Sequence, residues 1–327
     1  MGGCYVLGPV VGIGSTAMVH RGRDLRDDHP VAIKLFHAGA SLDELCRQRR
    51  ETETLAALDH PGLVRLRDGG VEDGRAFVVT DLVEGLTLAE RITDGALTPE
   101  QVRRLGAELA AALAHVHAAG VVHRDVKPAN VLLGDGSRAR LADFGIARAL
   151  GSASITGEGT VVGTAAFLAP EQARGEQVGP PADVYALGLV LLEALTGRRE
   201  YPGHMIESAS ARLHRRPEVP DGLPHGLSDR LRAMTADDPR HRPSAAAVAA
   251  RFASGWSGSA RSGSGEAPRR GGRHRRPPET RRRVVVPLAA AAFLVSVAGG
   301  VAFVVAGAGS TGVSPVATSA TPPEQRP

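Results

Sequence analysis

The sequence predicts an α+β domain of two unequal lobes, a small sheet-rich lobe followed by a larger helical one, with one apolar span near the C-terminal end. Three observations lead to this prediction. Short β-leaning segments dominate the first third of the chain, helical apolar spacing dominates from residue 98 to residue 253, and residues 284–308 contain no charge. At 327 residues the chain can hold about two domains, or one large domain with appendages.

The individual elements follow from the apolar pattern of each segment. In the first third, strands are predicted at 6–11, 17–21, 31–36 and 76–82, and a polar helix is predicted at 42–58. Beyond residue 98, apolar residues three and four positions apart predict helices at 99–119, 182–196, 227–234 and 245–252. The folded region is therefore expected to cover 5–253, with the first lobe at 5–82 and the second at 83–253.

Charge is distributed unevenly along the chain. The formal net charge is +4, yet residues 254–283 alone hold nine Arg and two Glu. The folded region is therefore mildly acidic, and the sequence predicts no nucleic-acid partner for it. Residues 254–283 are also rich in Gly, Ser and Pro, which is typical of a flexible linker, and their arginines would contact anionic lipid headgroups.

The uncharged residues 284–308 are predicted to form a transmembrane helix. As a helix they would span about 37 Å, enough for a bilayer core of about 30 Å. A buried helix of a globular domain is disfavoured because such helices rarely run this long without a polar face. Arginines occupy 281–283 and only Arg326 follows, so the folded region is expected in the cytoplasm and the short tail 309–327 outside. No signal peptide is expected, and the tail is too short for a sensor domain.

Two residue counts narrow the chemistry further. The only cysteines, Cys4 and Cys46, exclude a disulfide framework and are expected to be reduced thiols; no Cys/His spacing suggests zinc. Of 39 basic residues only Lys34 and Lys127 are lysines. Because arginine satisfies the need for cations elsewhere, these two positions are expected to require a compact ammonium group.

Short motifs carry the candidate chemistry. The turn containing Gly12 and Gly14 lies between two predicted strands and would let the backbone approach phosphates closely. Lys34 follows on a predicted strand, where its ammonium can bind phosphate oxygens, and the helix around Glu51 and Glu53 can supply the carboxylate that a buried ammonium requires. The motifs in order are the glycine turn, Val31-Ala-Ile-Lys34, His123-Arg-Asp125-Val-Lys127-Pro-Ala-Asn130, Asp143-Phe-Gly145 and Ala169-Pro-Glu171.

In order and spacing, these motifs over 5–253 resemble those of the eukaryotic-like bacterial serine/threonine protein kinases, of the transmembrane actinobacterial type. The resemblance implies the bilobal protein kinase fold, with a β-rich first lobe that holds one helix, αC, and a mainly helical second lobe. It also implies transfer of the γ-phosphate of ATP, with Mg²⁺ or alternatively Mn²⁺, to Ser and Thr hydroxyls of proteins. The chain departs from the pattern at Ala17, where a third glycine is usual.

The resemblance assigns the catalytic roles. Asp125 would orient the substrate hydroxyl and accept its proton, and Lys127 would neutralise the transferred phosphoryl group. Lys34 would contact the phosphates and pair with Glu51, which is favoured over Glu53 because it lies nine residues before His60. The implied metal ligands are Asn130 and Asp143. The implied nucleotide contacts are Lys34, Val11, Gly12, Gly14, Val19, Ala32, Thr80, Asp81, Val83 and Leu132.

Further residues are implied to hold or to regulate the second lobe. Asp183 would anchor the catalytic loop, Glu171 would pair with Arg242, and Thr164 would bond to the catalytic residues. The loop between Asp143 and Glu171 is implied to be phosphorylated by a second copy in a transient homodimer. The predicted phosphorylation sites are Thr156 and Thr160, with Arg124 as the partner of the phosphate.

Two other functions remain open at this point. One is a pseudokinase that acts as a scaffold on the same fold, which the complete set of motif residues disfavours. The other is a small-molecule phosphotransferase, which is disfavoured by Ala169-Pro-Glu171 and the loop at Thr164, since the family uses these segments to seat a peptide.

Overall fold

The computed structural model describes residues 3–14, 17–37, 57–134, 138–143 and 165–254. The predicted transmembrane segment 284–308 and the tail after it lie outside these ranges. Among the residues that are described, no helix is both long enough and apolar enough to span a bilayer. Of the predicted helix 42–58 only the last two residues are described, and neither is helical.

The first lobe is built on a five-stranded antiparallel sheet with strand order β1-β2-β3-β5-β4. Alternation along the central strands buries Val31 and Ile33 against Phe77 and Val79 on one face. The side chains at the alternate positions of β3, those of Ala32 and Lys34, point to the other face. The strands are β1 (Tyr5–Ile13), β2 (Ala17–Asp24), β3 (Pro30–Phe36), β4 (Leu66–Glu72) and β5 (Arg75–Asp81).

The register of the sheet collects several predicted nucleotide contacts on this second face. Val19 on β2 is the cross-strand partner of Lys34 on β3, and Ala32 is the partner of Thr80 on β5. Since directly paired residues point to the same side of a sheet, and residues two apart on a strand do too, all four share one face.

The second lobe is helical, and its central helix is buried on nearly all sides. Its helices are α1 (Leu88–Thr93), α2 (Pro99–Ala118), α3 (Pro170–Ala173), α4 (Pro180–Thr196), α5 (Met205–His214), α6 (Leu227–Met234) and α7 (Ala245–Ala253). Helix α4 is apolar around its circumference, as expected for a helix inside a core. It ends at Gly197, whose φ of +69° is the left-handed conformation that glycine adopts most readily at a helix C-terminus.

Helix α2 begins and packs for identifiable reasons. A capping box formed by Thr98 and Gln101 satisfies its first backbone N–H groups, and Pro99 occupies its first turn. On its inner side a Cβ added at Gly106 would lie 2.7 Å from ring carbons of Phe252 on α7. The glycine therefore permits a close approach of α2 and α7.

A small three-stranded sheet positions the segments that carry the motifs. Its strands are β6 (Leu86–Thr87), β7 (Val131–Leu133) and β8 (Ala139–Leu141). Two backbone hydrogen bonds join the chain just before β4 to β8. Leu141 N donates to Gly62 O at 2.8 Å, and Val64 N donates to Leu141 O at 2.9 Å. The motif at residues 123–130 ends where β7 begins, and Asp143 follows β8, so both motifs lie at the ends of adjacent paired strands.

Candidate active site

Asp125, Lys127 and Asn130 are in direct contact. Oδ2 of Asp125 accepts hydrogen bonds from Lys127 Nζ at 2.8 Å and from Asn130 Nδ2 at 3.0 Å. Asn130 Nδ2 also donates to the backbone oxygen of Asp125 at 2.8 Å. These bonds hold the Asp125 carboxylate in one orientation and direct the Asn130 amide nitrogen toward it.

Asp183, in the first turn of α4, anchors the loop that carries Asp125 by accepting hydrogen bonds from its backbone. Oδ1 of Asp183 accepts the backbone N–H of Arg124, and Oδ2 accepts that of His123, both at 2.8 Å. His117 Nε2, near the end of α2, also lies 2.8 Å from Oδ2. Arg124 has a φ of +65°, uncommon for a side chain other than glycine, and its anchored N–H helps to maintain this conformation.

His123 connects this loop to the residue before Asp143. The ring is fully buried; Nδ1 accepts the backbone N–H of Asp125 at 3.3 Å, and Nε2 lies 3.2 Å from the carbonyl oxygen of Ala142. Burial lowers the pKa of His123, which favours the neutral ring. A neutral ring protonated at Nε2 can accept at Nδ1 and donate at Nε2, so one tautomer satisfies both contacts.

Lys34 and Asp143 join the two lobes. Lys34 Nζ donates to Asp143 Oδ2 at 2.8 Å, with side chains 24% and 44% exposed. Asp143 has a φ of +56°, and the preceding Ala142 donates its N–H to the backbone oxygen of Asn130 at 2.8 Å. The ammonium from β3 therefore lies beside the carboxylate that follows β8, close to the catalytic loop.

The predicted nucleotide contacts lie along the sheet and the connection between the lobes. Gly14 N donates to Ala17 O at 2.8 Å and closes the first turn, although residues 15 and 16 are outside the described ranges. At the connection, residues 80–83, Asp81 N donates to Arg65 O at 3.0 Å and Leu82 N donates to Pro30 O at 3.3 Å. The remaining predicted contacts are placed as follows: Val11 is on exposed β1, Gly12 faces Val19 across β1 and β2, Leu132 is on β7 opposite Thr87, and Val83 lies against Gly134.

Comparison with known proteins decides the family. A family model described as the protein kinase domain matches residues 5–252. The chain belongs to the protein kinase domain family.

Named relatives of this kinase domain are bacterial enzymes. The chain is 38% identical over 249 residues to the serine/threonine-protein kinase PrkC of Bacillus subtilis. It is also 38% identical over 246 residues to the serine/threonine-protein kinase PknL of Mycobacterium bovis and over 257 residues to PknB of Mycobacterium tuberculosis. The matched regions cover 73–74% of this chain but only 38%, 62% and 41% of PrkC, PknL and PknB, respectively.

The kinase domain contains a further buried ion pair, and its partners are those predicted from the sequence. Arg242 Nη1 and Nη2 donate to the two carboxylate oxygens of Glu171 at 2.7 and 2.9 Å. Both side chains are almost completely buried. The pair connects the start of α3 to the segment just before α7 and stabilises the lobe rather than contacting the catalytic loop.

Several predicted residues of the kinase domain lie outside the described ranges, namely Glu51, Thr156, Thr160 and Thr164. Two contacts were not anticipated from the sequence: His117 with Asp183, and Lys34 with Asp143. The apolar pattern of 99–119 places His117 on a helix, but that pattern does not reveal a partner 66 residues away.

The donor set of the kinase domain fits a hard divalent cation. Asn130 directs Nδ2 toward Asp125, which leaves its amide oxygen as a ligand, and Asp143 contributes a carboxylate; both are oxygen donors that Mg²⁺ prefers. Within the described ranges, no group of three or more His, Cys, Asp or Glu side chains could hold a metal ion alone. In kinase sites Mg²⁺ is usually held by one or two carboxylates together with phosphate oxygens of the substrate, and the donors of Asn130 and Asp143 fit that arrangement.

Proposed function

We propose that the chain is a serine/threonine protein kinase that transfers the γ-phosphate of ATP to Ser and Thr hydroxyls of proteins. The observation that carries this proposal is the contact of Asp125 with Lys127 and Asn130, next to the Lys34–Asp143 pair. Family membership and the names of the relatives support it.

Phosphoryl transfer requires positioning and charge neutralisation more than covalent chemistry by the protein. The orientation of the Asp125 carboxylate suits it to accept the hydrogen bond of a substrate hydroxyl and then its proton. Lys127, already 2.8 Å from this carboxylate, can stabilise negative charge on the phosphoryl group as it reaches the hydroxyl.

Lys34 and Asp143 are suited to hold the phosphate groups of the nucleotide. The Lys34 ammonium can bind phosphate oxygens, and its present partner shows that it reaches the position where the two lobes meet. Asn130 and Asp143 would hold Mg²⁺, or alternatively Mn²⁺, which would neutralise phosphate charge. In the family pattern Lys34 also pairs with Glu51, and this pairing is part of the proposal.

The adenine ring would lie against the sheet face that carries Val19, Ala32 and Thr80. Small and β-branched side chains on this face leave room for a flat apolar ring. Backbone groups of Asp81 and Val83 would form hydrogen bonds with the polar edge of the ring. Leu132 on β7 would contact it from the second lobe, and Val11, Gly12 and Gly14 would cover the nucleotide.

Regulation by phosphorylation is a further part of the proposal. Thr156 and Thr160 would be modified by a second copy of the chain in a transient homodimer, and Arg124 would pair with the phosphate. Thr164 would bond to the catalytic residues and help to seat the substrate peptide.

We also propose that residues 284–308 anchor the kinase domain in the cell membrane, with 254–283 against anionic lipid and 309–327 outside. The uncharged length of the segment and the arginines at 281–283 support this topology. Anchoring would concentrate the domains and favour phosphorylation between copies. A chain truncated after Ser254 should therefore phosphorylate itself more slowly at equal expression, and equal rates would contradict the anchoring effect.

Mass-spectrometric mapping of phosphorylation sites tests the catalytic proposal. The purified chain is incubated with Mg-ATP beside the variants Lys34→Met and Asp125→Asn. Phosphate on Thr156 or Thr160 in the wild type alone is the expected result. Absence of phosphate in all three, with ATP still bound, would instead support the pseudokinase scaffold.

A further inference from the structure

A cluster of charged side chains occupies the end of the first-lobe sheet that adjoins the connection between the lobes. It is centred on Arg67, near the start of β4, a residue that the motifs do not include. Arg67 Nε donates to Asp81 Oδ1 at 2.6 Å, and Nη1 donates to Asp27 Oδ2 at 3.0 Å. Nη1 also lies 3.6 Å from Asp24 Oδ2. The connection between the lobes, residues 80–83, is called the hinge below. We call Arg67 and these three aspartates the hinge clamp.

Three of the four side chains of the clamp are largely shielded from solvent, and the fourth, Asp27, is 51% exposed. The Arg67 side chain is 20% exposed, that of Asp81 is 25% exposed and that of Asp24 is 1% exposed. Exposed ion pairs contribute little, whereas partly buried, charge-assisted hydrogen bonds with good geometry restrain their partners more strongly. The clamp is therefore able to hold the Asp81 side chain in place.

Two of the clamp aspartates, Asp24 and Asp27, belong to the β2–β3 turn, which is held by several hydrogen bonds of its own. Asp24 Oδ1 accepts from the backbone N and from Nε of Arg26 at 3.0 and 2.9 Å. Asp24 N donates to His29 O at 2.9 Å, and His29 N donates to Asp27 Oδ1 at 3.1 Å. These bonds hold the β2–β3 turn in one conformation, and Arg67 on β4 links this turn to Asp81 at the connection between the lobes.

We propose that Arg67 is a positioning residue for nucleotide binding, which acts by bracing Asp81 against the β2–β3 turn. This inference rests on the proposed function, in which the backbone of Asp81 and Val83 contacts adenine. The chain leaves β5 at Asp81, where Asp81 N donates to Arg65 O and the next residue, Leu82, donates its N–H to Pro30 O. At the same point the Asp81 side chain adds a further restraint, because its Oδ1 accepts from Arg67 Nε at 2.6 Å and lies 3.4 Å from His29 Nε2.

Loss of the clamp should affect binding and leave the chemical step intact. Without it, the hinge backbone samples more conformations, and nucleotide binding must order it again, which lowers affinity. Asp125, Lys127 and Asn130 belong to the other lobe and keep their contacts. A rise in KM for ATP with an unchanged kcat is therefore the expected signature of a positioning role.

The test compares Arg67→Met with Arg65→Met. Arg65 lies two residues away, has an exposed side chain and loses the same charge, so it is a matched control. KM and kcat for ATP and the Kd of a fluorescent ADP analogue are measured in the full chain. Arg67→Met should raise KM and Kd about fivefold with kcat changed less than about twofold, while Arg65→Met should change none of them. Arg67→Lys should recover only part of the affinity, since one ammonium cannot replace the planar fork.

A double-mutant cycle with Asp81→Asn shows whether Arg67 acts through Asp81. The double variant should bind ADP no more weakly than Arg67→Met alone. Unchanged Kd in Arg67→Met, additive effects in the cycle, or an equal fall in kcat would each overturn the clamp. Should Arg67→Met fail to fold by circular dichroism, Arg67→Lys carries the same expectations in direction and the same overturning results. Wild-type chain that binds no ADP would refute the proposed function and the clamp with it, whereas normal wild-type binding with unchanged variants refutes the clamp alone.

Discussion

Arg242 and Glu171 are 71 residues apart in the chain and form a bidentate ion pair whose side chains are 0% and 4% exposed. The remaining donors of Arg242 are also used. They bind the carbonyl oxygens of Ala236, Asp237 and Pro181 at 2.7, 2.9 and 3.0 Å. One guanidinium therefore ties together the starts of α3 and α4 and the segment before α7.

Glu171→Gln should lower the free energy of unfolding by about 3–5 kcal/mol, because it leaves a buried guanidinium without its counter-charge. Urea denaturation measures this loss, and Glu176→Gln, at an exposed position nearby, should cost far less. The double variant Glu171→Gln/Arg242→Met should lose less than the two single variants together, since neither charge is then left alone. Additive losses would contradict this account of the pair.

Asp183→Asn should reduce both stability and autophosphorylation. An amide nitrogen cannot accept a hydrogen bond, so at least one of the N–H groups of His123 and Arg124, or the ring of His117, loses its acceptor. A buried donor left unsatisfied costs about 1–3 kcal/mol, and the loop that carries Asp125 loses its anchor. Thermal denaturation and phosphate incorporation measure the two effects.

The matched control is Asp229→Asn, at a highly exposed position on α6, which should change neither property. Asp125→Asn provides the opposite comparison, since it should abolish phosphate incorporation while the melting temperature stays near the wild-type value. If Asp183→Asn behaved like Asp125→Asn, the anchoring role would be refuted.

Stability should decrease as the pH falls below the ordinary pKa of histidine, near 6.5. Burial lowers the pKa of His123 in the folded protein, so the unfolded chain binds a proton in this range that the folded chain does not. Each such group contributes at most about 1.4 kcal/mol per pH unit. Burial also lowers the pKa of His60, and its contribution has the same sign.

Urea denaturation at pH 7.5, 6.5 and 5.5 measures this dependence. His123→Phe keeps a ring of similar size without a titratable group and should flatten the slope of stability against pH. His241→Gln, at an exposed position, should leave the slope as it is. A slope in His123→Phe equal to that of the wild type would show that this histidine does not cause it.

Glu193 on α4 is a carboxylate that should destabilise the fold at neutral pH. Its Oε2 is buried without a hydrogen-bond partner among the described residues, and Arg199 Nε lies 3.8 Å away. Burial raises the pKa of Glu193, so the folded chain retains its proton at a pH where the unfolded chain has lost it. Its contribution to stability is therefore present below about pH 4.5 and is lost as the pH rises through the folded-state pKa.

Glu193→Gln should accordingly raise the melting temperature at pH 7.5, by about 2–4 °C for each kcal/mol gained. The gain should shrink as the pH is lowered toward 4.5, where the wild-type carboxylate is protonated. Glu84→Gln, which alters an exposed ion pair with Arg21, serves as the control and should have little effect at any pH. A destabilised Glu193→Gln at pH 7.5 would show that Arg199 compensates the charge fully.

The elements with a strong apolar period were predicted from the sequence nearly to the residue. The helix predicted at 99–119 is Pro99–Ala118, and the strand predicted at 31–36 is Pro30–Phe36. Strand β4 was missed because Leu66–Glu72 contains two glycines and three charged residues, a composition of low β-propensity. The segment is nevertheless a strand because a hairpin turn pairs it with β5. Glu72 pairs with Arg75 around Asp73-Gly74, and both central residues of this turn have positive φ.

The family was also predictable from the sequence, and the comparisons confirm it. Motif order identified it because five short patterns at family spacing are far more specific than any one of them. Contacts between distant residues were harder to predict. Nothing local to Lys34 indicates Asp143, 109 residues away, and nothing local to Arg67 indicates Asp81 on the neighbouring strand. Such pairs depend on sheet register and on how strand ends meet, which spacing along the chain does not determine.

The two lysines of the chain make the candidate active site selectively reactive toward amine-directed reagents. Lys34 and Lys127 are the only ε-amines in the 327 residues, and each lies 2.8 Å from an aspartate oxygen in the candidate site. An amine-selective acylating reagent therefore has, apart from the α-amino group, no other target on this chain. Protection of these amines by a nucleotide can be followed as a change in intact mass without a background from surface lysines. A lysine-directed covalent ligand would likewise find its lysine targets only in the candidate active site.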